Sequence, residues 1–522
     1  MKKQEMCKVY IGAIFTIFFF LLFRNLTNAS LWVDEGIEYW FSKSIHAIVP
    51  GDAMISTMYE RIIGTYQPPL YNVLMYMWLQ INDTEIWFRL FGVVMGLGAG
   101  VALYKAIEKN VSINVGLVSI LFLANVYQFV YYVQECAEYN LMFFTVSWTL
   151  YYFLECLREI SVKNICLFTT FCVLSVYSQY GTVFFVFGFA GVLLVWNIIK
   201  HKKTAVVKMA ISYLCAIVFT AIPLYVFFIS KQLENQIKVK GTTIAFNTND
   251  NLFIDIVKGL KNVLEFNFIP NNTIMRWVIW LLLVVVLVAT IILFKKKDEL
   301  TVVLFSACAL MTLAYCILVK VGVYGYGNWG ARYSLFMLPV IFLYAVIVIG
   351  KLWGLYQSCE NENIQQDAIK LLLGIVFGAV CMYSMQGYQH IGKGWIKEDN
   401  KDMFKYWYLE TPADCETLVY YGAVPVFSFY LEHEENYIPA EIINENMRMV
   451  TLQPNMRNLT KDEYVEYLTE SYEYMPEKIC FLCSHFIVDD WKVMLEAFGQ
   501  LGYEYEIMWE GYQAQVIMLN QS

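Results

Sequence analysis

The chain has 522 residues, 58% of them hydrophobic and 17% aromatic, which is far more apolar than a soluble domain of this length needs. An ordinary soluble globular protein is excluded, and a polytopic membrane protein is expected. The net charge of −8 is unevenly spread: residues 389–522 hold 23 acidic and 9 basic side chains, a net of −14, and the rest of the chain stands at +6. With no concentrated basic face, nucleic acid is excluded as a partner.

A helix needs about 20 apolar residues to cross the hydrocarbon core. In chain order this predicts eleven spans, at residues 9–24, 86–104, 113–131, 139–157, 164–180, 182–199, 208–228, 275–294, 300–319, 333–350 and 370–388. The stretch PPLYNVLMYMWLQ, near 69–81, opens on Pro68-Pro69 and is only about 13 residues long, so by length it is either a short span or an interfacial helix. Charge decides for the interface. If it does not cross, Lys2/Lys3, Lys105/Lys109, Arg158/Lys163, Lys200/Lys202/Lys203, Lys295/Lys296/Lys297 and Lys351 all fall on one side, as short cytoplasmic loops require. The N-terminus is then cytoplasmic. Loops 25–85, 132–138, 229–274 and 320–332 and the tail lie outside, and the first span is retained as an uncleaved anchor.

Within the long outer loop, NLFIDIVKGLKNVLEF repeats Phe253, Ile256, Val257, Leu260, Val263 and Leu264 at helical spacing, which predicts a surface-lying helix. The tail alternates strand-like runs (TLVYYGAVPVF, KICFLCSHFIV, YEIMWEGYQAQVIML) with helix-like ones (KDEYVEYLTESY, DDWKVMLEAFGQLG), the pattern of a small α/β domain. The expected organisation is therefore an α-helical membrane domain over 1–388, with interfacial helices, and an extracytoplasmic α/β domain over 389–522. The thirteen cysteines fall mostly in apolar runs, and Cys480 and Cys483 lack a second pair or histidines to make a zinc site. The five histidines show no paired metal spacing.

On this topology two acidic sites face outward: Asp34 and Glu35 in LWVDEGIEYW, and Gln134 and Glu135 in YYVQECAEYN. Ionisable groups near membrane depth mark function when they are more than helix-end polarity. The same side offers Arg61, Arg89, Lys320 and Arg332, the last in GNWGARYSLFMLP, where glycines permit close approach and the guanidinium can grip a phosphate or simply snorkel. Carboxylates beside cations at a lipid boundary suit an anionic lipid substrate.

LWVDEGIEYW, QPPLYNVLMYMWLQI, EIWFRLFGVVMG, YYVQECAEYNL, VYSQYGTVFF and ARYSLFMLP occur in the order found in bacterial membrane glycosyltransferases of the GT-C superfamily. Over roughly residues 1–350 the chain resembles the branch with protein O-mannosyltransferases and aminoarabinose transferases. The resemblance implies a sugar donor on a polyprenyl phosphate, a site away from the cytoplasm, and a catalytic acid after the first span. That role maps onto Asp34 with Glu35 beside it. The acidic or amide pair maps onto Gln134 and Glu135, and the phosphate-side arginine onto Arg332. Relatives commonly read QEAR-x-Y, whereas this chain reads Gln134-Glu135-Cys136-Ala137-Glu138-Tyr139, so the family arginine is Ala137; a common histidine is Gln179. Arg89, Lys320 or Arg332 would have to compensate for the lost cation.

The expected reaction moves the sugar to a hydroxyl of a cell-envelope glycan, lipid or protein, with inversion. Asp34 serves as base, Glu135 and Glu35 orient the acceptor or a divalent metal, Mg or Mn, held by Asp34 and Glu135, and Arg332 with Arg89 and Lys320 steadies the phosphate. Gln134, Tyr71, Tyr139 and Tyr180 are the expected substrate contacts. Two other readings stand beside this one. A lipid-linked glycan flippase would place ionisable groups at mid-span, where this chain has almost none, and an inactive partner subunit is suggested by Ala137.

Overall fold

The computed structural model describes residues 2–51, 56–65, 67–240, 252–268, 273–320, 332–357, 364–392, 397–443, 448–454, 459–472, 474–486 and 490–522. In chain order its main helices begin with α1 (Lys2–Phe23), α2 (Val33–Lys43), α3 (Leu70–Leu79), α4 (Glu85–Asn110), α5 (Ile113–Leu123) and α6 (Tyr127–Gln134). They continue with α7 (Tyr139–Arg158), α8 (Val162–Ser178), α9 (Thr182–Ile199), α10 (Lys203–Ala216), α11 (Leu252–Phe268), α12 (Thr273–Lys295), α13 (Glu299–Lys320), α14 (Met337–Gln357) and α15 (Ile364–Gly392). The tail adds α16 (Asn400–Glu410), β1 (Glu416–Val419), α17 (Val424–Glu432), β2 (Val450–Leu452), α18 (Lys461–Ser471), β3 (Lys478–Ser484), α19 (Asp490–Gln500), β4 (Tyr503–Gly511) and β5 (Ala514–Gln521).

The chain folds as two compact units. One comprises 1–24, 62–71 and 89–393; the other comprises 25–61, 72–88 and 394–522. The α2 segment, with most of α3, is thus grouped with the tail and not with α1.

The first unit is a multi-pass helical membrane bundle. Each stretch expected to span is helical, but the count of eleven is not reached on length and apolarity. Among the described residues seven helices are long and apolar enough to cross, or eight if a bent pair is one span. That bent pair is the expected span 113–131, which splits into α5 and α6 at 66°. The break has a local cause. The Asn125 amide donates to Leu121 O at 2.8 Å, competing with the helix ladder, and Val126 turns extended. A Cβ on Gly387 would fall 2.1 Å from Asn125 O, so α15 can approach the kink only without a side chain there. Span α10 runs on as far as Asn235; widened π turns at Ile217–Ala221 and Tyr225–Ile229 flank Pro223, which has no N–H to give the helix ladder. Helices α7 and α8 carry a hydroxyl ladder, Thr145 to Ser178 at 3.2 Å and Thr149 to Ser175 at 3.3 Å, the kind of pairing that links helices in lipid. The expected interfacial segment forms α3, and the amphipathic one forms α11, where Val263 is buried but Val257, expected on the same face, is exposed.

The second unit contains a five-stranded sheet in the order β2-β1-β3-β5-β4. Strands β2, β1 and β3 are parallel, while β5 and β4 run antiparallel. One face packs Leu418, Phe481, Ile517 and Leu519 against Tyr464, Leu468, Met494 and Phe498 of α18 and α19. On the other, Trp407 of α16 donates to Thr417 Oγ1 at 2.9 Å and stacks edge-on with Phe427 of α17. The alternating runs of the tail thus make the expected α/β layers, and Cys480 and Cys483 are buried in β3 as packing residues.

Two outcomes test this packing. A Cβ on Gly92 of α4 would lie 2.0 Å from Val133 O and 2.8 Å from Asn140 Nδ2, so Gly92→Ala should cost about 1–3 kcal/mol through overpacking, read as a lower melting temperature of the purified protein. Burial raises the Asp298 carboxyl, but bonds from Lys351 Nζ and Thr301 outweigh it and hold it below the ordinary aspartate range. Its contribution is complete above the unfolded value and is lost as pH falls through the lower folded value. Asp298→Asn should therefore flatten the acid limb of melting temperature against pH; an unchanged limb would refute the assignment.

Candidate functional site

The expected site residues divide between the units. Asp34 and Glu35 belong to the second, whereas Tyr71, Arg89, Gln134, Glu135, Tyr139, Tyr180, Lys320 and Arg332 belong to the first.

In the first unit the segment joining α6 to α7 is buried throughout: Gln134 is 3% exposed, Glu135 5% and Glu138 6%. Helix ends buried away from water must find partners for their backbone groups. The Gln134 amide donates to Leu22 O at 2.6 Å and Arg24 O at 2.9 Å, closing the C-terminal end of α1. Arg89 Nη1 donates to the Gln134 carbonyl at 3.0 Å, and Asn140 Nδ2 to the Glu135 carbonyl at 3.0 Å. Gln134 and Arg89 therefore shape the turn that presents Glu135.

Next to that turn lie Tyr132 and Tyr139, edge to face with ring centroids 4.9 Å apart. Both are under the electrostatic influence of the same three charges, Glu135, Glu138 and Arg332. Two buried carboxylates three residues apart, one half-buried guanidinium and two phenols thus form one cluster. Glu138 was not singled out from sequence, although a second acid three residues after Glu135 was the available signal. The neighbouring Ala137 and Cys136 are buried. Lys320 closes α13, and its side chain and the glycine-rich loop 321–331 lie outside the described residues.

Tyr71 packs edge-on against Phe91 at 5.9 Å, and Tyr180 donates to Gln232 Oε1 at 2.8 Å while Gln232 itself donates to Ile62 O and Gln67 O. Tyr180 therefore helps fasten 62–71 to the bundle. Gln179, the position the resemblance pairs with a histidine, is 4% exposed, and among the described residues neither end of its side-chain amide has a hydrogen-bond partner.

In the second unit Asp34 is half-buried and Glu35 buried, both in the first turn of α2, where the helix dipole favours negative charge. Glu35 Oε2 accepts the Trp32 N–H at 3.2 Å and so helps cap the helix that carries Asp34. The next amide, Val33 N–H, donates to Glu398 Oε2 at 3.1 Å. Lys397 Nζ stands 3.5 Å from the centre of the Trp32 ring, a cation that sequence reading missed because it lies more than three hundred residues away along the chain. Tyr39 shares its hydroxyl between Asp83 and Glu432, at 3.3 and 3.2 Å. Burial, reinforced by Asp83, pushes this phenol well above its ordinary pKa, so it stays a donor. Asn72 donates to the buried Glu38 at 2.9 Å. Arg61, one of the expected outer cations, is spent on the carbonyls of Phe41, Ser44, Ala47 and Ser56. It staples a loop. Among the described residues no three His, Cys, Asp or Glu side chains are grouped to hold a metal ion.

Residues 66–227 match the family model described as dolichyl-phosphate-mannose-protein mannosyltransferase. This is under half of the chain, but it contains α4 to α9 and the whole of the Glu135 turn. No curated protein matches. Among solved structures the chain is similar to ArnT from Cupriavidus metallidurans in the apo state, with a TM-score of 0.54, 11% identity, and 99% of this chain and 98% of that one covered. The same protein bound to undecaprenyl phosphate matches with a TM-score of 0.52 and 12% identity, at 98% of both chains. The Archaeoglobus fulgidus oligosaccharyltransferase in complex with Zn and sulfate matches at 0.50 and 12% identity, over 90% of this chain and 67% of that one. At such identities the likeness shows the fold alone, which this chain shares with ArnT.

Gln134 and Arg89 build the turn through hydrogen bonds to its backbone and to the end of α1. Gln134→Ala strands two carbonyls of α1 and should cost about 1–3 kcal/mol, seen as a lower melting temperature. Glu135→Gln keeps the shape and should melt close to wild type. Equal losses in the two variants would refute the building role of Gln134.

Proposed function

We propose that the protein is a membrane glycosyltransferase that takes a sugar from a polyprenyl-phosphate carrier and attaches it to a hydroxyl of a cell-envelope glycan, lipid or protein on the non-cytoplasmic side. The observation that carries this reading is that the mannosyltransferase family match covers the buried turn with Glu135 and Glu138, whose carboxylates act, together with Arg332 from a distant segment, on Tyr132 and Tyr139. The shared fold of an ArnT structure bound to undecaprenyl phosphate supports the class of carrier. The basic clusters collected by one set of connections support the sidedness.

The chemistry follows from the needs of the transfer. The acceptor oxygen attacks the anomeric carbon, and its proton passes to the Asp34 carboxylate as general base. The bond from the anomeric carbon to the phosphate oxygen breaks with its electron pair, and the polyprenyl phosphate leaves carrying the charge. Attack opposite the leaving group inverts the anomeric centre. Arg332, with Arg89 and Lys320, is proposed to steady the growing phosphate charge, and Glu35 and Glu135 to orient the acceptor. Gln134, Tyr71, Tyr139 and Tyr180 shape the substrate's surroundings. A divalent ion held by one or two carboxylates, with water and substrate oxygens completing its shell, is the habit of Mg²⁺. Such an ion, Mg or Mn, would be an accessory to the transfer, and no step above depends on it.

Purified wild type, given undecaprenyl-phosphate-linked glucose, mannose or aminoarabinose and an envelope extract as acceptor, should release undecaprenyl phosphate. Asp34→Asn should slow this by about 10²–10⁴-fold while still binding undecaprenyl phosphate by native mass spectrometry. Unchanged transfer by Asp34→Asn would remove the proposed base.

A further inference from the structure

The sheet of the second unit has a topological switch between β1 and β3. The chain leaves β1 toward β2 through α17 and leaves β3 on the other face through α19. Doubly wound sheets place ligands in the crevice beyond the C-terminal ends of such strands. Here the two ends are pressed together: a Cβ on Gly422, just after β1, would lie 2.8 Å from Ser484 O and 3.2 Å from His485 Cβ, just after β3. What sits against this end of the sheet is the start of α2.

The contacts are specific. Glu398, 3% exposed, accepts three hydrogen bonds: from Val33 N–H at 3.1 Å and Asn400 Nδ2 at 2.8 Å on Oε2, and from His485 Nδ1 at 2.7 Å on Oε1. Asn400 Nδ2 also reaches Leu31 O at 3.1 Å, and Leu31 N–H donates to Tyr430 Oη at 2.8 Å. Farther along α2, a Cβ on Gly36 would meet Val426 Cγ2 at 2.8 Å, and Trp40 Nε1 donates to Pro425 O at 2.8 Å. The entry and first turn of α2 are thus gripped at Leu31, Val33 and Gly36, and the helix again at Trp40, with Asp34 between the first of these contacts. His485 itself has a left-handed backbone, φ +66°, a conformation rare outside glycine, which the tight end of β3 imposes while aiming its ring at Glu398.

We infer that Glu398 is the positioning residue for Asp34, and that the tail domain uses its switch point to hold the base-bearing helix where a relative of that sheet would hold a ligand. Glu398 meets one of the orphan amides of α2 and sets its negative charge against the positive helix end. His485 fixes the carboxylate from the sheet side. The inference rests on the reading of Asp34 as the base, and concerns where that carboxylate is held and by what.

Full-length protein in lipid nanodiscs tests it with two readouts. By hydrogen exchange, Glu398→Ala should raise deuterium uptake across residues 31–38 and leave β3, residues 478–484, at wild-type protection. Glu398→Gln, which keeps an acceptor for Val33, should restore most of that protection. In the undecaprenyl-phosphate-sugar assay, Glu398→Ala should lower kcat about 10- to 100-fold, the scale of a misplaced catalytic group, with KM for the donor held within about twofold and Glu398→Gln regaining most of the loss. Wild-type protection of 31–38 in Glu398→Ala would overturn the inference. So would uptake rising through 478–484 as well, which would make Glu398 a general support of the domain. If wild type transfers no sugar from any of the donors, the transferase reading fails, and the exchange result alone decides whether Glu398 holds the helix.

Discussion

A helix that ends away from water leaves carbonyls and amides that only the protein can satisfy, and both acidic stretches of this chain are shaped by that demand. At the α6–α7 turn, Gln134 closes α1 and Arg89 takes the Gln134 carbonyl. At the start of α2, Glu35 and Glu398 meet the amides of Trp32 and Val33. The polar residues around Asp34 and Glu135 are therefore of two kinds. Some complete the backbone and fix its path, and the carboxylates that remain are held in a geometry they do not have to create.

That division bears on the change at Ala137. The resembled motif has an arginine at this position, and here a small buried residue stands beside two acids. Glu138 brings a second negative charge to the cluster, and Arg332 acts on the same tyrosines as both carboxylates. A phosphate drawn to Arg332 would meet more negative charge than in a site with the family arginine. The charge of this cluster thus turns on Ala137, with Glu138 at the position the resembled motif leaves open.

Much of the architecture was legible in the residues. Apolar runs located the helices, because crossing hydrocarbon demands length and composition together, and the alternating tail announced its sheet. The bend at Asn125 was not legible, since a side-chain amide competing for Leu121 O leaves the hydropathy of 113–131 untouched. The role of Arg61 also escaped: a lone arginine in an outer loop reads as a phosphate ligand, and only the fold shows four carbonyls around it. Glu398, Asn400 and His485 carried no signal at all, because their partner, the entry of α2, lies at the opposite end of the sequence. Asp34 itself stood out because its acidic pair occurs with cations on the same expected face and in the motif order of a known family, since helix-end polarity alone explains such a pair equally well.

The bond between Val33 and Glu398 joins residues 365 positions apart, and this has a consequence for biosynthesis. At ordinary elongation rates the ribosome needs roughly 20–70 s to reach the tail after making α2. Throughout that interval the helix with its three acids waits without the sheet that grips it, so this clamp is among the last parts of the molecule to mature. A truncated or prematurely released chain would carry the apolar helices complete and the acidic one unmoored.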